Sequence, residues 1–364
     1  MKPKESFLPT FDKIVRVGAV TVASVGIVVI FGWVFNIPLL KSVLPGLMTM
    51  KLNTACGFLV AGTALWLLHT SARSSRSFRL GLVLSVFVAL LGVLNLIEYI
   101  FAVDLGIDQL LMQDVEQKLH PGRLAETTAF GFLLVGVAMF DLRARRQRRT
   151  ASTRCLAAVV LFVSTLAIVG YAYGVSSLYA VGPYSSMALH TALAFLVLSL
   201  SILAADPTRG IVGIAASDSA GGFVVRRLIP IIPVTILTMG WVAQKGHMAG
   251  LYDTNFGLAL VEVLSITVCV LAITWTAFKL RKVDFVRKLA EELGYNFFEI
   301  KHSDLATPFI HGSVGNIGKV FEVQKFMNMT WGKGLESKSP RKKIRIIEAI
   351  NDKKALLKQE KKQN

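Results

Sequence analysis

Charge is what this chain has least of. Asp, Glu, Lys and Arg make up 17% of its 364 residues, against about 25% in a typical soluble domain. The shortfall argues against the two or three soluble domains that length alone would allow. Cysteine is scarce as well. Cys56, Cys155 and Cys269 are the full set, and all lie in or beside apolar runs. Without metal-ligand spacing they read as small core hydrophobes, not as a disulfide framework. No HxH or DxD pair suggests a metal, and no cofactor is expected. The start of the chain lacks a small-residue cleavage site, and its first apolar run, about 14–35, outlasts a signal h-region of about 7–15 residues. That run reads as a span.

What the chain has instead is apolar sequence. Hydrophobic residues reach 53% and the mean hydropathy is +0.57, with long apolar runs separated by short charged loops. The expected fold is therefore an all-α integral membrane protein, an eight-helix bundle of repeated helical hairpins with a short cytoplasmic α-rich tail. Spans are expected near 14–36, 51–69, 79–103, 124–142, 154–174, 186–205, 224–243 and 256–279, each close to the ~20 residues that cross the hydrocarbon as a helix. The domain boundary is placed after 282. Residues 1–282 form the membrane domain and 283–364 a short basic segment.

Basic residues alternate along the loops. The N-terminus, the even-numbered loops and the exit from the last span are rich in Lys and Arg, most densely at Arg143, Arg145, Arg146, Arg148, Arg149 and Arg154. Odd loops are poor in them, and the third carries Asp104, Asp108, Asp114 and Glu116. The positive-inside rule then puts both termini in the cytoplasm. The net charge of +17 is explained by these loops and the tail. It implies membrane lipids as partners and no nucleic acid.

One stretch is written three times. Thr54-Ala55-Cys56-Gly57-Phe58-Leu59, Thr128-Ala129-Phe130-Gly131-Phe132-Leu133 and Thr191-Ala192-Leu193-Ala194-Phe195-Leu196 share the pattern T-A-x-[G/A]-F-L. Each follows a turn marked by Pro and Gly and opens an even-numbered span. The odd arms share a weaker pattern, Gly26/Phe35, Gly92/Phe101 and Gly170/Tyr179. The last two spans form a fourth, divergent hairpin.

Helix starts offer unpaired N–H groups and partial positive charge, so Asn53, Thr54, Thr128, His190 and Thr191 are candidates for lining one outer pocket. The alternative is architectural: the threonines cap or bridge helices, Gly57, Gly131 and Ala194 permit close approach, and Phe58, Phe132 and Phe195 fill the bundle. Asn95 and Glu98 are three apart on one helix face. A charge at membrane depth costs about 2.5–3.5 kcal/mol on insertion scales, so the pair is either a ligand site or a buried polar set. Glu262, Lys279 and Arg281 are candidates for passing a signal along the last span. The third loop, 104–123, with its four acids and His120, reads as solvated.

The phrases Met50-Lys51-Leu52-Asn53-Thr54-Ala55, Glu98-Tyr99, Asp104-Leu105-Gly106-Ile107-Asp108, Pro121-Gly122-Arg123 and Met187-Ala188-Leu189-His190-Thr191-Ala192 carry a resemblance. So do Arg226-Arg227-Leu228-Ile229-Pro230 and Gly250-Leu251-Tyr252-Asp253. Over residues 10–290 the chain resembles the N-terminal multi-helix membrane sensor region found ahead of PAS, histidine kinase or diguanylate cyclase domains in bacterial signalling proteins. The resemblance implies the bacterial inner (plasma) membrane and signal input, with a homodimer or a signalling partner protein. Beyond it, Leu289-Ala290-Glu291-Glu292-Leu293-Gly294-Tyr295 and Ile310-His311-Gly312-Ser313-Val314-Gly315 resemble part of an AAA-type ATPase, up to about 325. Its phosphate-binding GxxxxGK[ST] is missing, so no ATPase or other enzyme activity is expected. Such a join would suit a fusion, a truncation or a changed reading frame. A sensor input module is the leading expectation; a small-molecule or ion transporter or channel, and an assembly subunit, are the alternatives.

Overall fold

A computed structural model of the protein describes residues 8–44, 46–72, 75–112, 121–144, 150–179, 186–207, 210–217 and 219–292. The chain divides into two compact units, 1–217 with 233–264, and 218–232 with 265–364. Regular structure among the described residues is helical throughout.

The first unit is built from three hairpins. The first joins α1 (Leu8–Val34) through the short α2 (Pro38–Ser42) to α3 (Leu52–Thr70). The second joins α4 (Arg76–Phe101) to α5 (Glu126–Ala144), and the third joins α6 (Thr150–Tyr173) to α7 (Leu189–Ala204). Local sequence sets the ends: Ser75 caps α4 by accepting the Phe78 N–H at 3.0 Å, and Ala102 closes it in a left-handed turn. Within each hairpin the two arms pack along each other. Between hairpins, α4 packs on α3, α6 on α5 and α1 on α7, so the three close into a ring.

The inner helices are α3, α5 and α7, which touch one another. The repeated stretch explains why. Phe58, Phe132 and Phe195 are all fully buried and meet in one cluster, with ring centroids 4.9, 4.7 and 5.0 Å apart for the three pairs. The tilted and edge-on contacts are the favourable arrangement of aromatic quadrupoles. Space for the rings comes from the preceding small residue: a Cβ on Gly57 would press on Phe132, and one on Gly131 on Phe195. The outer arms approach equally closely at Gly26, against the Ala55 carbonyl, and at Gly92, against the Ala129 carbonyl. Small residues at the contacts are the usual means of packing apolar helices.

A second contact also recurs three times. Trp33 Nε1 donates to the Met50 carbonyl at 2.9 Å, Tyr99 Oη to Leu124 at 2.6 Å and Tyr171 Oη to Met187 at 2.7 Å. Each acceptor lies four residues before its repeated threonine, and each donor seven residues after Gly26, Gly92 or Ser164. The third counterpart of Gly26 is therefore the buried Ser164. The expected Gly170/Tyr179 match sits six residues out of register, and Gly170 corresponds instead to Gly32 and Glu98.

Among the described residues, six helices are long and apolar enough to cross a membrane: α1, α3, α4, α6, and, following the short α8 (Gly210–Ala215), α9 (Ala220–Met248) and α10 (Thr254–Glu292). Such a set suits a multi-pass membrane protein. The expectation of eight spans is met in six among the described residues: α5 is not one of them, and α7 has only 16 residues. Both are inner helices, largely covered by their neighbours but each still exposing apolar side chains such as Phe140 and Leu200.

In the second unit, the Arg227 guanidinium lies over the Trp275 ring, 3.6 Å from its centroid. Of the expected tail, 283–364, only the continuation of α10 to Glu292 is described. The AAA-like stretch beyond it and the charged tail lie outside the described residues.

Candidate functional site

At the threonine end of the ring, the segment after each outer helix folds back over that helix. Gly32 and Gly170 make room for this: a Cβ would strike Leu40 at the first and Leu178 or Tyr179 at the second. The middle hairpin has Glu98 at the same position. Its side chain enters the loop that covers it, and it is completely buried.

Glu98 Oε1 accepts the Leu105 N–H at 3.0 Å. Arg123, arriving just before α5, gives its Nε–H to Asp108 Oδ2 at 2.8 Å and a second N–H to the Val103 carbonyl at 3.3 Å. The same Nε is 3.7 Å from Glu98 Oε2. Arg123 and Asp108 are themselves buried. Burial alone would lower the guanidinium's pKa, but the hydrogen bond and charge of Asp108, with the charge of Glu98, raise it above the usual arginine value. The guanidinium also lies over Tyr99, 5.4 Å from the ring centroid. Gly122 is needed for the approach. Its φ is +80°, and a Cβ there would run into the Asp108 carbonyl, so only glycine fits.

The candidates fall into three groups. Asn95 and Glu98 are both buried beside the segment entering α5: Asn95 accepts the Leu124 N–H at 3.3 Å and donates to Leu91 at 3.1 Å. Asn53 joins the same region from α3, donating to the carbonyls of Ile107 at 3.1 Å and Asp108 at 2.9 Å. One position ahead of the third threonine, His190 is the counterpart of Asn53. It is buried, neither ring nitrogen makes a full hydrogen bond, and the backbone of Lys41 is the polar group acting on it. Asn53 thus reaches from the first hairpin to the second hairpin's loop, and His190 from the third to the first.

Thr54, Thr128 and Thr191 are each the third residue of their helix and are buried. They are not N-caps; those positions are Lys51 and Ala188 for α3 and α7, with no side-chain cap. The cleft found near the repeat is small and apolar, lined by Thr127, Phe130, Gly131, Val160, Ser164 and Met187. The third group lies on α10, where Glu262 and Arg281 are exposed and Lys279 is half-buried.

Asp108 and Arg123 are the buried ion pair that sequence reasoning passed over. Both stand in phrases that carry the resemblance, but nothing in their spacing pairs them. Of the third loop's other acids, Asp114 and Glu116 lie with His120 outside the described residues. The cluster can hold and orient charge in a buried place; among its described residues no nucleophile is matched with a base. No family model, no curated protein and no solved structure matches the chain.

Proposed function

We propose that the chain is a membrane-embedded signal-input module of the bacterial inner membrane, with eight spans, both termini cytoplasmic and no catalytic output of its own. The observation that carries this reading is α10, one unbroken helix of 39 residues. At 1.5 Å per residue it is roughly 58 Å long, about twice the ~30 Å hydrocarbon thickness. Its apolar part passes without a break into the charged stretch holding Lys279 and Arg281. A helix of that kind transmits a tilt or rotation from the membrane to whatever it meets in the cytoplasm, a second copy or a signalling partner protein.

The loop charges and the resemblance over residues 10–290 support the same reading. Transport is disfavoured, because the Phe58–Phe132–Phe195 cluster fills the centre of the helix ring with apolar side chains. Any stimulus works only through its differential affinity for two packings of the hairpins.

The test is a chimera of residues 1–282 fused to a histidine kinase output and reconstituted in liposomes. Autophosphorylation is expected to change with external divalent cation, external pH or acyl-chain length. Indifference to all three, with a folded and active kinase, rejects sensing. Ion or solute flux that disappears in Glu98→Gln would favour a transporter instead.

A further inference from the structure

Among the described residues, the Glu98 cluster has more negative charge than its surroundings balance. Carboxylate oxygens of Glu98, Asp104 and Asp108 all lie within 4.8 Å of one another. Among the described residues the single cation acting on Glu98 is Arg123. Three carboxylates against one guanidinium leave a formal excess of two negative charges.

Hydrogen bonding leaves the same gap. The Nε–H of Arg123 is spent on Asp108 Oδ2. Glu98 Oε2 and Asp108 Oδ1 are both buried and unpaired while both acids are ionised, so that only a proton or a cation between the two carboxyl groups satisfies them, although Glu98 is fully enclosed and Asp108 is only 8% exposed. Buried carboxylate oxygens are ordinarily paired, hydrogen-bonded or bound to metal. The fold does not require the acid here, since the counterparts of Glu98 in the other two hairpins are Gly32 and Gly170. The middle hairpin alone places a carboxylate where the others place nothing.

We propose that Glu98, Asp104 and Asp108 form a binding site for a hard divalent cation of the calcium class. The donor set is all oxygen, which selects calcium or magnesium over softer metals. Calcium suits it better, because its coordination shell is flexible whereas magnesium demands near-ideal octahedral geometry. Neighbouring carbonyls are committed elsewhere: Val103 to Arg123, and Ile107 and Asp108 to Asn53. Three carboxylates supplemented by water give a weak site, with a Kd of about 10⁻⁴–10⁻³ M, as in extracellular calcium modules. The ion would bridge the end of α4 to its covering loop, which Asn53 ties to α3. The site does not depend on the sensor reading.

Terbium(III), a hard cation that luminesces when a nearby aromatic ring is excited, provides the probe, with Tyr99 beside the cluster. With purified full-length protein in detergent, one terbium per chain is expected, displaced by calcium and less readily by magnesium. Calcium should also raise the unfolding midpoint by a few degrees. Glu98→Gln retains the acceptor for Leu105, and Asp104→Asn retains the one for Gly106. Each is expected to fold and to weaken calcium competition at least tenfold. Luminescence that calcium fails to displace, or that both variants leave unchanged, overturns the proposal. So does a wild-type midpoint unmoved by calcium while Glu98→Gln raises it, which would assign a proton shared between Glu98 and Asp108. Binding without any response of the kinase chimera would leave the cation site standing and remove sensing; the converse would do the reverse.

Discussion

Replacing Phe132 with alanine is expected to destabilise the protein by about 3–5 kcal/mol, the range for a large buried aromatic truncated to alanine. Phe132 is fully buried, and its ring contacts both other phenylalanines of the central cluster. Each aromatic pair is worth about 0.5–1.5 kcal/mol beyond its area, so two are lost together. The gap cannot close cheaply. Phe58 and Phe195 are carried by different helices, and Gly57 leaves no side chain to move into it. Phe130, two residues earlier on α5, is 41% exposed and serves as the control. Its alanine variant should cost no more than about 1 kcal/mol, since large losses need a buried feature. Chemical unfolding in one detergent, followed by tryptophan fluorescence, measures both.

Substitution of Arg123 by methionine should be as damaging for a different reason. It removes the guanidinium that lies between two buried carboxyl groups and leaves Glu98 and Asp108 facing each other. Removing one partner of a buried ion pair costs about 3–5 kcal/mol, mostly because the remaining charge is uncompensated. Lost packing over Tyr99 adds to this. If uncompensated charge is the cause, adding Glu98→Gln and Asp108→Asn to Arg123→Met should recover more than half of the loss. A triple variant no more stable than the single one would assign the effect to packing alone. Unfolding midpoints of wild type, Arg123→Met and the triple variant at one pH give the comparison.

The inner ring was legible in the sequence because one residue type does the same work three times. A phenylalanine follows a small residue in each copy, and all three rings meet on the axis. Three copies of T-A-x-[G/A]-F-L were therefore enough to suggest the three phenylalanines as fillers of the bundle, although not that their helices are the inner ones. The repeated threonine is the third residue of its helix and is buried among its neighbours, a position that the repeat alone does not distinguish from a cap.

The outer arms were less legible. Their common contact uses Trp33, Tyr99 and Tyr171, three positions that share chemistry and not identity, and the third copy replaces glycine with Ser164. Following glycine alone moved that copy by six residues. Hydropathy likewise gave α5 and α7 no mark of their inner position, since a window average does not register how much of a helix its neighbours cover. The acid cluster could not be read from spacing. Glu98, Asp108 and Arg123 are brought together only when the loop folds over α4, and the glycines at the two equivalent positions become informative only once the register is known.

Closure of the ring is tested most directly by a double-mutant cycle between Phe58 and Phe195, which come from the first and third hairpins. Phe58→Leu, Phe195→Leu and the double variant would be unfolded under identical conditions. In the closed ring their rings touch, with centroids 4.7 Å apart, and a coupling energy of about 1 kcal/mol is expected, within the range for residues in contact. Losses that add to within about 0.3–0.5 kcal/mol, as they do for independent sites, would contradict a ring closed through its central phenylalanines.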